Sequence, residues 1–343
     1  MTSQTTLSLD AMGGDHGPKV VVPAAVQALE RHPGLHLVLV GQEQALREQL
    51  HAHGAGEAER ISIRHCSEVV GMEEPPSQAM RNKRDSSMRV ALDMVRSGEA
   101  DGCVSAGNTG ALMATARYLL KTLPGIDRPA IMSAIPTRDG ATHMLDLGAN
   151  VDCSSDHLFQ FAVMGAVAVE AAHDLAQPRV GLLNVGEEEI KGNEQVKQAA
   201  ELLGEAEELR YIGYVEGDGV YQGEADVVVC DGFVGNVALK TSEGVASLIS
   251  DYLRSEFQRN ILTRLAGLVA LPVLRALRGR IDPRQYNGAS LLGLRGVALK
   301  SHGSADTFAF GRAIDTAARE AEQGVPSLIE ARIERLLGIR EGA

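Results

Sequence analysis

Residues 226–236 read DVVVCDGFVGN, an apolar run that ends in a polar, glycine-bearing loop. The same arrangement occurs at residues 7–18 (LSLDAMGGDHGP) and 102–110 (GCVSAGNTG), and a helical pattern follows each loop. In an open α/β sheet, ligands bind where strand ends meet helix N-termini, because free amide groups and the helix dipole favour an anion there. The three loops therefore predict one composite site for a phosphate-like or carboxylate-like ligand.

Strand-like and helical segments alternate along the chain, and most strand-like segments are continuous apolar runs, as in strands buried on both faces. This alternation predicts an α/β fold with a mainly parallel sheet and helices on both faces. We expect one catalytic domain over residues 1–343, with two lobes around a cleft as the alternative. Strands are predicted near 7–12, 35–41, 61–67, 102–106, 129–136, 143–148, 179–185, 210–215, 226–230 and 296–301. Helices are predicted at 19–31, 87–97, 109–122, 156–174, 191–209 and 234–256.

The composition argues against several classes of protein. The chain has 343 residues and a formal net charge of −12, so we expect no nucleic-acid partner, because nothing offsets phosphate repulsion. The four cysteines lie far apart, which predicts free thiols rather than disulfides or a metal site. Neither a signal-peptide pattern nor an apolar run of about 18 residues is visible, so we expect a cytoplasmic protein. We expect no metal and no cofactor.

Residues 252–284 form a cationic window in this acidic chain. The window holds seven arginines against two acidic residues, and apolar residues lie between them at helical spacing. We expect a protruding amphipathic hairpin of two short helices that meet near Gly267–Pro272. Such a segment is typical of a membrane-surface contact or a docking site for an acidic partner, and a dimer interface is the alternative. The predicted membrane contacts are Arg264, Leu265, Leu268, Val269, Leu271, Leu274 and Arg275.

Several catalytic motifs are absent from the sequence. It has no P-loop, no G-x-G-x-x-G after a strand and no G-x-S-x-G elbow. Polar loops with lysines but no obvious covalent nucleophile suit a reaction in which the second substrate, such as inorganic phosphate, is the nucleophile. Lys191, Asn236 and Lys240 are candidate donors to the phosphate dianion and to a tetrahedral oxyanion. A catalytic thiol at Cys153 or Cys230, both near loop ends, is the alternative.

Some polar residues at the strand ends have two interpretations. Asn108 and Thr109 lie where a strand pattern changes to a helical one, so they either cap the helix or contact the ligand. Asp10 ends an apolar strand beside two glycines, and a buried carboxylate there must be hydrogen-bonded or paired. It is therefore either a loop organiser or a functional group.

Six short motifs, in order and spanning nearly the whole chain, resemble those of the phosphate acyltransferase family (PlsX). They are residues 9–15 (LDAMGGD), 105–111 (SAGNTGA), 146–150 (DLGAN), 184–192 (NVGEEEIKG), 231–236 (DGFVGN) and 301–303 (SHG). The resemblance implies reversible acyl transfer from acyl-[acyl-carrier protein] to inorganic phosphate, yielding acyl phosphate for phospholipid biosynthesis. It implies a fold similar to phosphotransacetylases and isopropylmalate dehydrogenases. It also implies a homodimer that passes its product to a membrane glycerol-3-phosphate acyltransferase, which gives the cationic window a role at the inner face of the cell membrane.

The motifs also indicate the site residues. Lys191 and Asn236 are the predicted catalytic residues, with Lys191 holding phosphate or the developing oxyanion and Asn236 orienting it by hydrogen bonds. The predicted phosphate- and acyl-binding residues are Asp10, Gly13, Gly14, Asp15, Ser105, Gly107, Asn108, Thr109, Asp146, Asn150, Asp231, Lys240 and His302. Two other functions stay open at this point: a dinucleotide-dependent hydroxyacid dehydrogenase of similar fold, and a non-enzymatic membrane-surface adaptor.

Overall fold

A computed structural model describes residues 4–56, 58–173 and 175–342, in which strands and helices alternate around one eleven-stranded sheet. The strands are β1 Thr5–Asp10, β2 Leu35–Gly41, β3 Ile61–His65, β4 Gly102–Ser105, β5 Ala130–Thr137, β6 Gly140–Leu145, β7 Arg179–Leu183, β8 Arg210–Val215, β9 Val227–Val229, β10 Ala289–Leu292 and β11 Val297–Lys300. The helices are α1 Pro18–Arg31, α2 Glu43–Ala52, α3 Pro76–Asn82, α4 Ser87–Ser97, α5 Thr109–Leu120, α6 Ser155–His173, α7 Glu194–Gly204, α8 Gly219–Gln222, α9 Gly232–Gln258, α10 Ile261–Ile281, α11 Thr307–Gln323 and α12 Val325–Gly342.

The strand order is β3-β2-β1-β4-β11-β10-β5-β6-β9-β7-β8. Seven strand pairings are parallel, and three in the middle of the sheet are antiparallel: β11 with β10, β10 with β5, and β5 with β6. The predicted mainly parallel sheet is therefore confirmed. Because three successive antiparallel pairings reverse the strand direction, β6, β7 and β9 run opposite to β1, β4 and β11. Their carboxyl ends lie at opposite edges, called here the first edge (β1, β4, β11) and the second edge (β6, β7, β9).

The sequence pattern identifies ten of the strands, and β10 is the one that it misses. Ala289–Leu292 has only four residues and follows the cationic window, so no periodicity distinguishes it from a loop. Its position matters nevertheless, because it pairs antiparallel with both neighbours and begins the reversal of strand direction.

Helices cover both faces of the sheet, as predicted. Leu7 and Leu9 of β1 pack into the apolar cluster formed with α1 and α11, whereas the Ser8 hydroxyl, on the other face, donates to the carbonyl of Ala91 in α4 at 2.8 Å. Leu239 in the first half of α9 packs into the cluster formed with α4 and α5. The first turns of α9 therefore lie on the same face of the sheet as α4 and α5.

The cationic window belongs to a helical hairpin, but the predicted turn at Gly267–Pro272 is wrong. The turn lies at Arg259–Asn260, where the Asn260 and Thr263 side chains form a reciprocal capping box at the start of α10. Helix α10 continues through both residues. A Cβ on Gly267 would lie 3.0 Å from the Phe257 ring, so this glycine permits close packing of α9 and α10.

The hairpin exposes part of the predicted membrane-contact set. Leu265, Leu268 and Val269 are 56%, 63% and 84% exposed, whereas Leu271 and Leu274 are partly buried. Arg264 and Arg275 are exposed. No helix of the described chain combines the length and apolar character that a membrane crossing requires.

Candidate active site

Three neighbouring parallel strands end at the first edge with a carboxyl, a hydroxyl and an ammonium group in one row. Asp10 of β1 is in register with Ser105 of β4, and Ser105 is in register with Lys300 of β11. Residues in register on parallel strands share a face of the sheet, so the three side chains lie side by side. The Ser105 hydroxyl donates to Asp10 Oδ2 at 2.6 Å.

Asp10 organises the loop that follows it. Its Oδ1 accepts a hydrogen bond from the Gly13 amide at 3.1 Å, and the Ser87 hydroxyl and the Met12 amide also bond to this carboxyl. The side chain is buried, and desolvation raises the pKa of the Asp10 carboxyl above its usual value despite these hydrogen bonds. The organiser interpretation of Asp10 is thus supported, and the carboxyl also lies next to Lys300.

The predicted glycines at this edge allow two loops to touch. A Cβ on Gly13 would lie 2.5 Å from Asp10 Oδ2 and 2.8 Å from the Gly107 amide, and Gly14 has a φ of 83°. The Gly107 amide donates to Ser105 Oγ at 3.0 Å, and the Asp15 amide donates to the Gly303 carbonyl at 2.9 Å. The loops after β1, β4 and β11 therefore form one packed cluster.

Lys300 is a residue that the sequence analysis missed. Its ammonium donates to the Ala106 carbonyl at 3.4 Å and, through a short contact, to the Ser301 carbonyl. Burial lowers the pKa of Lys300 to about 8, Asp10 and Asp15 act against this shift, and Lys240 adds to it. The sequence feature that could have identified Lys300 is its place near the end of the apolar segment 296–301, directly before the SHG motif.

Asn108 and Thr109 lie at the N-terminus of α5, in agreement with the helix-capping interpretation. Asn108 Oδ1 accepts from the Ala111 amide at 3.0 Å, and its Nδ2 donates to the Met72 carbonyl at 2.6 Å and the Glu74 carbonyl at 3.1 Å. Thr109 is the first residue of α5. The Asn108 side chain thus caps the helix and ties it to the 72–74 segment.

His302 also lies at the first edge. It is exposed, its amide donates to Asn287 Oδ1 at 3.0 Å, and its Nδ1 lies 2.9 Å from the Ser304 hydroxyl. The imidazole is therefore accessible to a ligand at this edge.

At the second edge, Asp146 directly follows β6 and is fully buried. Its Oδ1 accepts from the amides of Ile131 (2.9 Å) and Ala149 (3.1 Å), and its Oδ2 from the amide (2.7 Å) and side chain (3.0 Å) of Asn150. Burial raises the pKa of the Asp146 carboxyl. Asn150 Nδ2 also donates to the Pro129 carbonyl at 2.8 Å. The two predicted binding residues Asp146 and Asn150 thus fold their own loop.

The glycine-bearing loop 231–236 packs against this Asp146 loop. Asp231 Oδ1 caps α9 by accepting from the Val234 amide at 2.9 Å. A Cβ on Gly235 would lie 1.9 Å from the Asp146 carbonyl oxygen, and one on Gly232 would lie 2.6 Å from the Asn150 carbonyl oxygen. These two glycines therefore allow the start of α9 to pack closely against the Asp146 loop.

Lys191 and Asn236 present their side chains to solvent at the same edge. Lys191 is exposed in the loop between β7 and α7, which the Asn184 side chain holds through the carbonyls of Gly186 (3.1 Å) and Lys191 (3.3 Å). Asn236 is exposed in the first turns of α9, and a Cβ on Gly148 would lie 3.5 Å from its Cβ. Because β7 and β9 are neighbours in the sheet, the two loops lie at adjacent positions.

The three glycine-bearing loops follow strands that run in opposite directions, and the composite site stays a prediction. The loops after β1 and β4 cluster at the first edge, and the loop after β9 lies at the second. Helix α9 connects the two. Asn236 lies beside the Asp146 loop, and Lys240, one turn later, comes close enough to Lys300 for its charge to lower the pKa of that lysine. The site that the structure supports therefore extends along the first turns of α9.

The cysteines do not suit covalent catalysis. All four are free and buried. Cys153 Sγ lies 3.6 Å from the Asn150 carbonyl and Cys230 Sγ lies 3.7 Å from the Asp146 carbonyl. Burial raises the pKa of Cys153 to about 11 and raises that of Cys230 as well, so both thiols are protonated near neutral pH. Since the thiolate is the nucleophilic form, the thiol alternative is unsupported.

The chain is similar in sequence to known proteins over its whole length. A family model described as "Fatty acid synthesis protein" matches residues 5–328. The phosphate acyltransferase of Halorhodospira halophila is 81% identical over 343 residues, covering 100% of both chains. That of Alkalilimnicola ehrlichii is 69% identical over 341 residues, covering 99% of each.

The chain belongs to the phosphate acyltransferase family. It is therefore an acyltransferase, which decides against the dehydrogenase and adaptor alternatives. Among solved structures, the fold is similar to a phosphotransacetylase from Streptococcus pyogenes, with a TM-score of 0.64 and 18% identity over 92% of this chain and 94% of that one. A branched-chain phosphotransacylase from Enterococcus faecalis V583 has a TM-score of 0.58 and 15% identity over 92% and 99%. The predicted phosphotransacetylase-like fold of the enzyme is confirmed.

Proposed function

We propose that this acyltransferase moves a fatty acyl group reversibly from acyl-[acyl-carrier protein] to inorganic phosphate, and that the acyl phosphate serves phospholipid biosynthesis. The full-length identity of 81% to a phosphate acyltransferase carries the proposal. The site supports it, because Lys191 and Asn236 offer an exposed cation and an exposed amide, and the buried thiols offer no nucleophile.

The proposed reaction is a direct displacement. A phosphate oxygen attacks the thioester carbonyl carbon, a tetrahedral oxyanion forms, and its collapse breaks the C–S bond while the new C–O bond to phosphate remains. Lys191 and Asn236 act by stabilising the phosphate or the oxyanion through charge and hydrogen bonding. The leaving thiolate needs little protonation, since a thiol has a pKa of about 8.5. No acyl-enzyme forms in this scheme.

A cationic surface between α3 and α5 suits an acidic acyl donor. Arg81, Arg84, Arg117 and Lys121 are exposed and make no ion pair within the described residues. The half-exposed ring of Tyr118 lies on the same surface, and the Lys121 ammonium lies 4.9 Å from its centroid. Carrier proteins are acidic, so we place their docking on this surface by charge complementarity.

The α9–α10 hairpin is proposed as the reversible membrane contact of a homodimeric enzyme. Leu265, Leu268 and Val269 would insert shallowly, while Arg264 and Arg275 attract anionic lipid. This contact would place the enzyme at the inner face of the cell membrane, next to the membrane glycerol-3-phosphate acyltransferase that consumes its product.

The reaction itself is tested with purified protein, palmitoyl-carrier protein and labelled inorganic phosphate. We expect label in an acid-labile acyl phosphate and release of one carrier thiol per acyl phosphate. The coenzyme A thioester, run in parallel, tests the donor. A protein mass increase equal to the acyl chain after acid trapping, or lost activity in the Cys153→Ala, Cys230→Ala variant with an unchanged melting temperature, would refute direct displacement.

A further inference from the structure

A pocket of about 500 Å³ opens on the cationic surface between α3 and α5. It brings apolar and cationic groups together, because it is lined by Met80, Ala114, Arg117, Tyr118, Lys121 and Thr122. Aromatic, methionine and arginine side chains are enriched in protein interfaces, where a few anchors in pockets carry most of the binding energy. The lining therefore suits an apolar side chain that has acidic neighbours.

Two cations lie over the half-exposed ring of Tyr118 at this pocket. Lys121 Nζ lies 4.9 Å and Arg89 Cζ lies 5.9 Å from the ring centroid, both within the range of cation–π attraction. The Arg89 guanidinium also donates to the Met80 carbonyl at 3.0 Å and lies 3.8 Å from the Asp93 carboxylate. Lys121 is exposed, so its ammonium is the one of the two that a docked molecule can reach most directly.

The backbone of Lys121 adopts a conformation that is almost restricted to glycine. Lys121 is the C-cap of α5, with a φ of 63° and a ψ of 168°. The C-caps of α4, α8 and α11 also have a positive φ, and all three are glycines: Gly98, Gly223 and Gly324. A lysine therefore occupies a position at which glycine is the least strained residue.

The turn between β10 and β11 holds Lys121 in this conformation. The Arg295 amide donates to the Lys121 carbonyl at 3.2 Å, and Arg295 Nε donates to the Thr122 carbonyl at 2.9 Å. The Leu123 amide donates to the Gly293 carbonyl at 3.0 Å. Strained residues persist where the surrounding structure fixes them, and they are concentrated at binding sites. The side chain of Lys121 is thus the part of this position that requires a functional reason.

The pocket lies on the same side of the sheet as the proposed catalytic groups. Strand β11 runs towards the first edge, so the turn that precedes it, residues 293–296, lies at the second edge. Residues 121–123 are hydrogen-bonded to this turn. Lys191 and Asn236 lie at the same edge, so a donor protein anchored at the pocket has its thioester on the side where these groups can reach it.

We propose that this pocket anchors the acyl-carrier protein. An apolar side chain from the acidic face of the carrier enters the pocket, and a carboxylate beside it pairs with Lys121. The inference rests on the proposed function and deepens it, because charge complementarity alone gives the surface but not the anchor. A coenzyme A thioester offers no protein side chain, so the pocket also distinguishes the two donors. The strain at Lys121 is then a stability cost that accompanies binding.

Substitutions at Lys121 separate the effect of its side chain from that of its backbone. Lys121→Gly removes the charge and relieves the strain, so the melting temperature should stay at or above that of the wild type. The Kd for unacylated carrier protein should rise about 5–30-fold, the usual loss of one interface anchor. Lys121→Arg should restore most of the affinity. Gln177, before β7, is the other described non-glycine residue with a positive φ, so Gln177→Gly is the matched control and should keep the wild-type Kd.

Ala114→Phe tests the pocket rather than the charge. The larger side chain fills the space, so the Kd for the carrier should rise by a similar factor at low and high salt. The loss in Lys121→Gly should shrink as salt screens the ion pair. If Ala114→Phe disturbs α5, Tyr118→Ala makes the same test, because it removes a half-exposed wall of the pocket. The KM for a coenzyme A thioester should change less than about twofold in these variants.

Carrier binding measured without an acyl group distinguishes failure of this inference from failure of the proposed function. If the wild type forms acyl phosphate from the carrier thioester and both Lys121→Gly and Tyr118→Ala keep the wild-type Kd, the inference is wrong and the function stands. If carrier binding depends on both residues but no thioester yields acyl phosphate, the function is wrong and the docking pocket stands. A melting temperature of Lys121→Gly below that of the wild type would overturn the role assigned to the strain.

Discussion

The two edges of the sheet are built in a similar way but differ in the charged groups around them. At each edge a buried aspartate lies at the end of a strand and organises the loop that follows: Asp10 is the last residue of β1, and Asp146 directly follows β6. The difference lies in the charges around them. The first edge holds Lys300 partly buried beside its aspartate, whereas the second presents Lys191 and Asn236 to solvent.

Within the motifs, the residues that fold the loops and the residues that stay available to a substrate are therefore different sets. The aspartates and glycines determine how the loops fold, because their polar atoms are occupied by hydrogen bonds and their small size permits contact. The side chains that remain available to a substrate are the neighbouring lysines and Asn236.

The largest expected effect is on turnover at the second edge. Lys191→Ala or Asn236→Ala should lower kcat by about 10²–10³, the usual loss on removing one donor to an oxyanion. Because both side chains are exposed, the melting temperature should stay close to that of the wild type. Lys197→Ala on α7 is the matched control and should retain activity. Near-normal turnover in a folded Lys191→Ala or Asn236→Ala variant would contradict the catalytic assignment.

Removing Asp146, which organises the loop at the second edge, should instead lower the stability of the protein. Asp146→Ala leaves the buried amides of Ile131, Ala149 and Asn150 without their acceptor, so the free energy of unfolding should fall by about 3 kcal/mol. Asp146→Asn keeps an acceptor and should cost less. Urea denaturation measures both. A fully stable Asp146→Ala variant without activity would instead make Asp146 a catalytic residue.

Glu320 tests whether burial alone accounts for raised carboxyl pKa values, because it lies in α11, away from both edges. It is buried with the Ser290 hydroxyl as its partner, and desolvation raises its pKa from 4.5 to about 7. Because the folded state favours the protonated carboxyl, Glu320 contributes to the free energy of unfolding below pH 4.5. This contribution is lost as the pH rises to about 7. Relative to Glu320→Gln, the wild type should lose about 2–3 kcal/mol over that range. Denaturant titrations at a series of pH values measure the difference, and parallel profiles would refute it.

The smallest expected effect on the chemistry comes from α10, which follows the far end of α9 in the hairpin. Leu268→Glu with Val269→Glu charges two exposed positions, and should release the protein from anionic vesicles while acyl-phosphate formation in solution continues. Salt should weaken wild-type binding to the vesicles, because each basic residue contributes about 1 kcal/mol through a charge interaction that salt screens. Binding should not vanish, because insertion of the apolar side chains is not screened. If the wild type ignores such vesicles at low salt, or the charged variant changes its oligomeric state, the hairpin is an interface.

Much of the fold was predictable because local patterns are strong in buried parallel strands. Continuous apolar runs located every strand except β10, and the alternation with helices indicated the α/β class. The turn of the hairpin was not predictable from Gly267 and Pro272, because Gly267 meets the Phe257 ring of another helix. A glycine that permits a tertiary contact is indistinguishable, in sequence, from one that permits a turn.

By itself, the sequence determined the strands, the loops that end them and the family motifs, since these depend on neighbouring residues. Only the tertiary structure decided which loops share an edge, because that depends on the three antiparallel pairings around β10 and β5. It also decided that Lys300 stands beside Ser105 and Asp10, a juxtaposition set by strand register across nearly three hundred residues of chain. The hydrophobic pattern of a strand specifies which of its faces is buried, whereas its partners and their register are set only when the distant strands assemble.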